Sequence, residues 1–364
     1  MKLTVKTAIL QSMTARAMKG ASCNKMLPIT GFMYVRLRDN KLSLVTTDAT
    51  NYLYITQDKV LGENFSVVVE AEVFSKLISR LTCENVTLEL TDNSLVVKGN
   101  GSYRMDLPLD EEGEPVTFPD PVDKINSVHS DWVPDEKCVI NLSTARLILA
   151  VAKASLAKTD EIPCYTGYYC GDKIVATDAS VMCGIGIKLW DKPALIGAEM
   201  MDLLDVFTQE KIEVERCGSK ILFTSADCTL YGKVMDSIAD YQIDDINVLL
   251  DQSFDSHCRI SKAALLQLLD RLVLFVSVYD RNSIDLTFTM SGLQISSKQA
   301  NSVEIIPYSE SYNFTAFTGS VDIEMFRAQV KASVGDYIEL YYGADNAVMF
   351  VDGNITQVIG LIDG

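Results

Sequence analysis

Two spacings of apolar residues alternate along the whole chain. Where they recur every three to four positions a helix is expected, and where they recur every second position a half-buried strand. A strand at 2–5 leads into a helix over roughly 7–20, then strands near 32–38, 41–47 and 51–56. Phe65-Ser-Val-Val-Val69 leads into a helix over roughly 71–82, with strands near 86–90, 94–98 and 102–107. In that helix Phe74, Leu77, Ile78 and Leu81 share one face, with Lys76 and Arg80 opposite. In the first helix Leu10, Met13 and Ala17 oppose Ser12, Arg16 and Lys19.

The pattern then repeats. After an irregular, Pro- and Asp-rich link over roughly 110–136, Cys138-Val-Ile-Asn-Leu142 opens a second round. Its helices are expected near 143–158 and 197–209, with strands near 165–169, 173–177, 181–188, 211–216, 219–224 and 228–235. A second irregular stretch over roughly 237–254 precedes a third round, with helices near 261–277 and 322–334. Thr47-Asp48-Ala49-Thr50 and Thr177-Asp178-Ala179-Ser180 hold the same place in the first two rounds. Asn85-Val-Thr-Leu-Glu-Leu90, Lys211-Ile-Glu-Val-Glu-Arg216 and Asp336-Tyr-Ile-Glu-Leu-Tyr-Tyr342 hold matching places in all three. Such self-similarity predicts an α+β chain of three similar domains, 1–125, 126–250 and 251–364, each a duplicated helix-plus-strands unit.

Composition narrows the classes. With 48% hydrophobic and 22% charged residues in 364, the chain reads as soluble and globular. No apolar run reaches the roughly 18 residues that span a bilayer, and Met1-Lys-Leu-Thr-Val5 lacks a secretory core; a cytoplasmic protein without membrane partners is expected. The nine cysteines are scattered singly, and the two histidines, His129 and His257, stand far apart. No metal site, cofactor or disulfide framework is expected from that spacing. Gly184-Ile-Gly186 and Gly99-Asn-Gly101 lack the third glycine and the strand-to-helix setting of a phosphate loop. Asp48 and Asp178 sit where turn-forming aspartate is ordinary. No catalytic residues are expected, and the protein is read as a non-enzyme.

The net charge of −17 argues at first against a nucleic-acid partner. Binding answers to the local field, however, not to the sum. Arg146, Ala150, Lys153 and Ala157 form a small-and-basic stripe on the third helix, and Arg327 and Lys331 lie one turn apart on the sixth. Each stripe alone is an ordinary solvated face; repeated on four helices of one repeat, they would sum to a positive surface.

At this point the chain resembles the β sliding clamp of bacterial DNA polymerase III. The resemblance is carried by Met1-Lys-Leu-Thr-Val5, Met26-Leu-Pro-Ile29, Lys41-Leu-Ser-Leu-Val-Thr-Thr-Asp48, Val86-Thr-Leu-Glu-Leu90 and Gly101-Ser-Tyr-Arg-Met-Asp-Leu107. Phe118-Pro119, Val175-Ala-Thr-Asp178 and Ala239-Asp-Tyr241 continue it; the third domain matches by pattern more than by residues. The resemblance implies a homodimeric ring of clamp domains, sheets outside and helices lining the hole, closed around duplex DNA. It implies DNA polymerase and a clamp loader as partners. Contacts to DNA would be diffuse and independent of base sequence.

By position, the resemblance implies DNA contacts at Lys25, Lys158 and Thr159; Arg80, Arg146 and Lys153 join them on helix charge. It implies a dimer seam at Met105 and Leu107 on an edge strand and at Leu274 and Phe275 after a helix. It implies a partner-peptide pocket at Tyr165, Thr177, Ala179, Ser180, Val181, Met182, Ala239, Ile243, Val358, Gly360 and Ile362. Three features depart from the family. Ala179-Ser-Val-Met182 replaces a Gly-His-Arg-Leu-like run, Gly360-Leu-Ile-Asp-Gly364 replaces a Met-Pro-Met-Arg-Leu-like tail, and Gly197-Ala-Glu-Met-Met-Asp202 puts acids on the fourth helix. The divergence fits a phage-encoded or otherwise unusual clamp, with an altered peptide preference. The rival reading is a clamp-like interaction scaffold that does not encircle DNA.

Overall fold

A computed structural model describes residues 1–127, 131–277, 279, 282–297, 302–344 and 346–362; His129 lies outside them. Eight α-helices stand among the described residues: α1 (Thr7–Ala17), α2 (Ala71–Ser79), α3 (Pro121–Ile125), α4 (Leu142–Ala152), α5 (Ala198–Asp202), α6 (Ile243–Leu250), α7 (Lys262–Leu272) and α8 (Ile323–Ala332). Six of these are the helices the periodicity predicts, several ending in a 3-10 turn. The other two, α3 and α6, fall in the links expected to be irregular. α3 is set by local chemistry: Pro121 supplies the first-turn φ, and the Asp120 carboxylate accepts the Asp123 N–H at 3.0 Å.

The chain divides into two compact units, residues 1–145 with 199–234, and residues 146–198 with 235–364. The division follows two continuous sheets and passes through the expected second domain, so the three-domain boundaries of the repeat do not coincide with it. In the first unit, eight strands run in the order 65–70, 32–38, 41–47, 52–57, 228–233, 220–224, 211–217 and 136–141. The joint between first-round and second-round strands is antiparallel, with Leu53 opposite Leu230 and Ile55 opposite Cys228. A separate four-stranded sheet pairs 2–6, 85–90, 94–98 and 102–106.

In the second unit, nine strands run in the order 194–197, 167–170, 174–177, 181–185, 355–360, 347–352, 337–342, 256–261 and 310–312. Here the rounds join with Val181 opposite Ile359 and Met182 opposite Val358. Its four-stranded companion holds 302–306, 292–297, 283–289 and 317–322.

Each helix buries the stripe that the spacing marks. Leu10, Met13 and Ala17 of α1 and Phe74 and Ile78 of α2 are buried. Leu265, Leu268, Leu269 and Leu272 of α7 pack with Phe326 and Val330 of α8 and with Phe288, Leu340 and Phe350 of the strands. Each such side chain contributes about 1.5–3 kcal/mol. Gly20 allows the close approach that follows α1: a Cβ there would sit 2.7 Å from both Leu53 Cβ and Thr46 Oγ1. No helix among the described residues is long and apolar enough to cross a membrane.

Candidate nucleic-acid interface and partner pocket

In the first unit Lys25 is exposed on a turn built by its neighbours. The Asn24 side chain accepts the Met26 N–H at 2.9 Å, and Thr30 Oγ1 accepts the Asn24 N–H and donates to the Leu27 carbonyl. The turn also exposes Met26 and Leu27. Arg80 caps the C-terminus of α2 and is exposed, where a cation suits the helix dipole. Gln11 of α1 donates to the Ile78 and Leu81 carbonyls at 3.1 and 2.9 Å and fixes that end.

Three basic residues of the expected lining faces, Arg16, Lys76 and Arg327, are engaged elsewhere. Arg16 is half-buried: its guanidinium pairs with Asp227 at 2.7 Å and donates to the Val206 carbonyl at 3.1 Å. The helical wheel cannot show an acid 211 residues away. Lys76 is paired with Glu72, one turn back on α2. In the second unit Arg146 and Lys153 are exposed along α4 and the 3-10 turn after it, and Lys158 and Thr159 are exposed in the loop that follows. Arg327 of α8 is paired with Asp270 at 2.6 Å and with Glu324 at 3.7 Å. α5 presents Glu199 and Asp202 at the surface, the acids read from the sequence, and its 3-10 extension adds Asp205.

Met105 lies on the edge strand of the first unit's four-stranded sheet, and Leu107 follows it; both are half-buried. Leu274 and Phe275 form a 3-10 turn after α7 and are 76% and 48% exposed. The same unit has an edge strand at 302–306, whose Val303 and Ile305 are 52% and 55% exposed. These two were missed in the sequence reading, although their alternation with Glu304 signals a strand with one apolar face uncovered. Arg271 of α7 grips Glu304 of that strand, with Nε to Oε1 at 2.9 Å.

The residues proposed for a peptide pocket all belong to the second unit. Tyr165, Met182 and Val358 share one apolar cluster, against which Ile243 packs. Thr177, Ala179 and Ser180 form the adjoining turn: Thr177 Oγ1 donates to the Val181 carbonyl, the Asp178 carboxylate accepts the Ser180 and Val181 N–H groups, and Ala179 is left-handed at φ +78°. Gly360 N–H reaches the Ser180 carbonyl at 2.8 Å. Val181 points to the opposite face of the sheet, into the core with Ile359. Ile362 is tied instead to the Ser320 carbonyl, and Ala239 is exposed on the turn 236–240.

Sequence reasoning missed the centre of this cluster, Tyr241, although the Ala239-Asp-Tyr241 run points at it. Tyr241 is buried, donates to the Val175 carbonyl at 3.2 Å and stacks on Tyr169 at 5.4 Å. Burial pushes its phenol far above the usual tyrosine range. Gly184 lets α6 settle on the strands, since a Cβ there would meet Leu250 at 2.9 Å. Asp240, Asp244 and Asp245 are exposed along this segment.

Residues 1–115 match the family model for the N-terminal domain of the DNA polymerase III beta subunit. No curated protein matches the chain in sequence. Among solved structures it is similar to the DNA polymerase sliding clamp from Bacillus subtilis, at 17% identity over 100% of this chain and 99% of that one, with a TM-score of 0.84. The DNA polymerase III beta chain from Streptococcus pneumoniae matches at 14% identity over 100% of both chains, TM-score 0.85. The beta subunit from Thermotoga maritima matches at 16% identity over 100% and 99%, TM-score 0.81. The chain thus has the bacterial sliding-clamp fold along its full length, and its first 115 residues match the family model for the DNA polymerase III beta subunit's N-terminal domain.

Proposed function

We propose that the chain is a non-catalytic DNA sliding clamp, closing head-to-tail with a second copy into a ring around duplex DNA and tethering the replicative polymerase in the cytoplasm. The observation that carries this reading is the full-length clamp fold of a chain whose N-terminal domain matches the family. Two strands that end their sheets among the described residues support closure: 102–106, with Met105 and Leu107, and 302–306, with Val303, Ile305 and the nearby Leu274 and Phe275. An uncovered apolar edge is a template for pairing with another chain. The three domains of 1–125, 126–250 and 251–364 would each contribute two of the repeated units.

Lys25, Arg80, Arg146, Lys153, Lys158 and Thr159 would meet phosphate without reading bases, which is what sliding requires. The cluster around Tyr165, Met182, Ile243 and Val358 would receive a segment of the polymerase or of a clamp loader. The acids of α5 favour a second reading, an interaction scaffold that does not enclose DNA. The test is retention on nicked circular DNA after loading. A clamp stays on the circle and is lost when the circle is cut; loss indifferent to cutting rejects encirclement. Charge reversal at Arg80, Arg146 and Lys153 together should reduce retention, and an unchanged result favours the scaffold.

A further inference from the structure

The eight-stranded sheet of the first unit ends on the strand 65–70, which pairs with 32–38 on one side only. Beside that strand lies a groove of about 580 Å³, bounded by Ser66–Val68, the turn at 90–92 and the arm at 115–118. Tyr34 and Phe118 stack in its wall with ring centroids 5.6 Å apart and planes within 6°. Among the described residues, 66–68 make no backbone hydrogen bond outside their sheet. A bare edge is normally blunted by lysine, proline or a bulge. Ser66-Val67-Val68-Val69 has no lysine or proline, and its register with 32–37 is unbroken.

The surroundings are acidic. Asp92 lines the groove, and Asp110, Glu111, Glu112 and Glu114 stand on the hairpin that links its two walls; all five are exposed. One Asp110 oxygen accepts the N–H groups of Glu112 and Glu114 at 3.0 and 2.9 Å, which fixes the hairpin tip. Among the described residues no lysine or arginine pairs with any of the five. The Met1 ammonium, also in the lining, is already bonded to the Leu90 carbonyl at 3.1 Å.

We propose that this groove binds an extended peptide alternating apolar and basic residues, added as a further strand along Ser66–Val68. The backbone edge would supply the hydrogen bonds, as in other strand additions. Every second side chain would enter between Tyr34, Val116 and Phe118, and the intervening cations would face the carboxylates. Three lining residues at about 3.3 Å each give a paired run of roughly 10 Å. Charge complementarity selects this occupant over an acidic segment. Leu107 borders the groove and also belongs to the proposed seam, so the test must follow oligomeric state.

Two labelled synthetic peptides, one alternating valine with lysine and one alternating valine with glutamate, are titrated with the full chain by fluorescence polarisation. The lysine peptide is expected to saturate and to weaken as salt rises, and the glutamate peptide not to bind. Changing Glu111→Gln, Glu112→Gln and Glu114→Gln together should weaken the lysine peptide about tenfold, with particle mass unchanged. A photo-crosslinker at the central valine should capture residues 66–68 or 116–118. Equal binding of the two peptides, no saturable binding, indifference to the triple change, crosslinks elsewhere, or a loss that tracks a change in particle mass each overturns the proposal.

Discussion

Both units carry a continuous sheet that joins strands of successive rounds, and in both an early helix is locked to a later element beside that joint. The means differ. In the first unit the lock is ionic: Arg16 of α1 holds Asp227 and the Val206 carbonyl, and Asp227 also accepts hydroxyls from Thr208 and Ser225 at 2.9 and 3.3 Å. In the second it is neutral. Gln329 of α8 bonds Ser155 at 3.0 Å and accepts from Gln357 at 2.9 Å, and Gln357 in turn accepts from Ser333 at 3.0 Å. Arg16 and Asp227 keep 18% and 26% of their side-chain surface, whereas Ser155 and Gln329 keep none.

That difference in water access sets the expected energies, against the usual assumption that the charged contact matters more. Gln329→Ala leaves Ser155 and Gln357 short of partners where water cannot reach, at about 1–3 kcal/mol each, beyond the lost packing. A loss of about 3 kcal/mol or more is expected. Arg16→Ala leaves Asp227 with two hydroxyls and access to solvent, and should cost about 1–2 kcal/mol. Chemical denaturation of the two variants checks the order. A larger loss for Arg16→Ala would mean that the ionic lock dominates and would break the comparison.

The paired turns sharpen it further. Asp48 accepts the Thr50 and Asn51 N–H groups at 2.8 and 2.6 Å, and its second oxygen takes the Asn51 amide at 2.8 Å. Asp178 accepts the Ser180 and Val181 N–H groups at 2.8 Å each, and Val181 offers no amide. Replacement by alanine should cost about 1 kcal/mol at Asp178 and roughly 0.5–1 kcal/mol more at Asp48. Equal losses in parallel melts would show that the third bond at Asp48 contributes nothing.

The repeat was legible in the sequence because it is written in local spacing. Phe74, Ile78 and Leu81 are buried where the period placed them, and the Thr-Asp-Ala turns fold alike. The Asp120-Pro121 helix start was also written locally, but lay in a link whose Pro and Asp content reads as irregular. What stayed hidden depends on partners distant in sequence. Arg16 reads as a solvent-facing cation until Asp227 is placed beside it, and Ser155 shows no sign of meeting Gln329. The residues proposed for a partner pocket were named only through resemblance. Alternation does put Val181 and Met182 on opposite faces, but it does not show which face Tyr241 covers.

The smallest effect tests whether the two turns carry the same strain. Ala49 and Ala179 are held at φ +83° and +78°, a region where a Cβ crowds the neighbouring carbonyl. Alanine there costs about 1–2 kcal/mol, while glycine gives back about 0.5–1 kcal/mol through the freer unfolded chain. Ala49→Gly and Ala179→Gly should therefore each stabilise the protein, by roughly 0.5 kcal/mol. Because the φ values differ by so little, the two gains should agree in denaturant melts read at the same protein concentration. A gain at Ala49 without one at Ala179 would mean that the second unit's turn relaxes by other means. It would do so beside the cluster proposed to receive a partner, where a yielding turn would let the site adapt to more than one peptide.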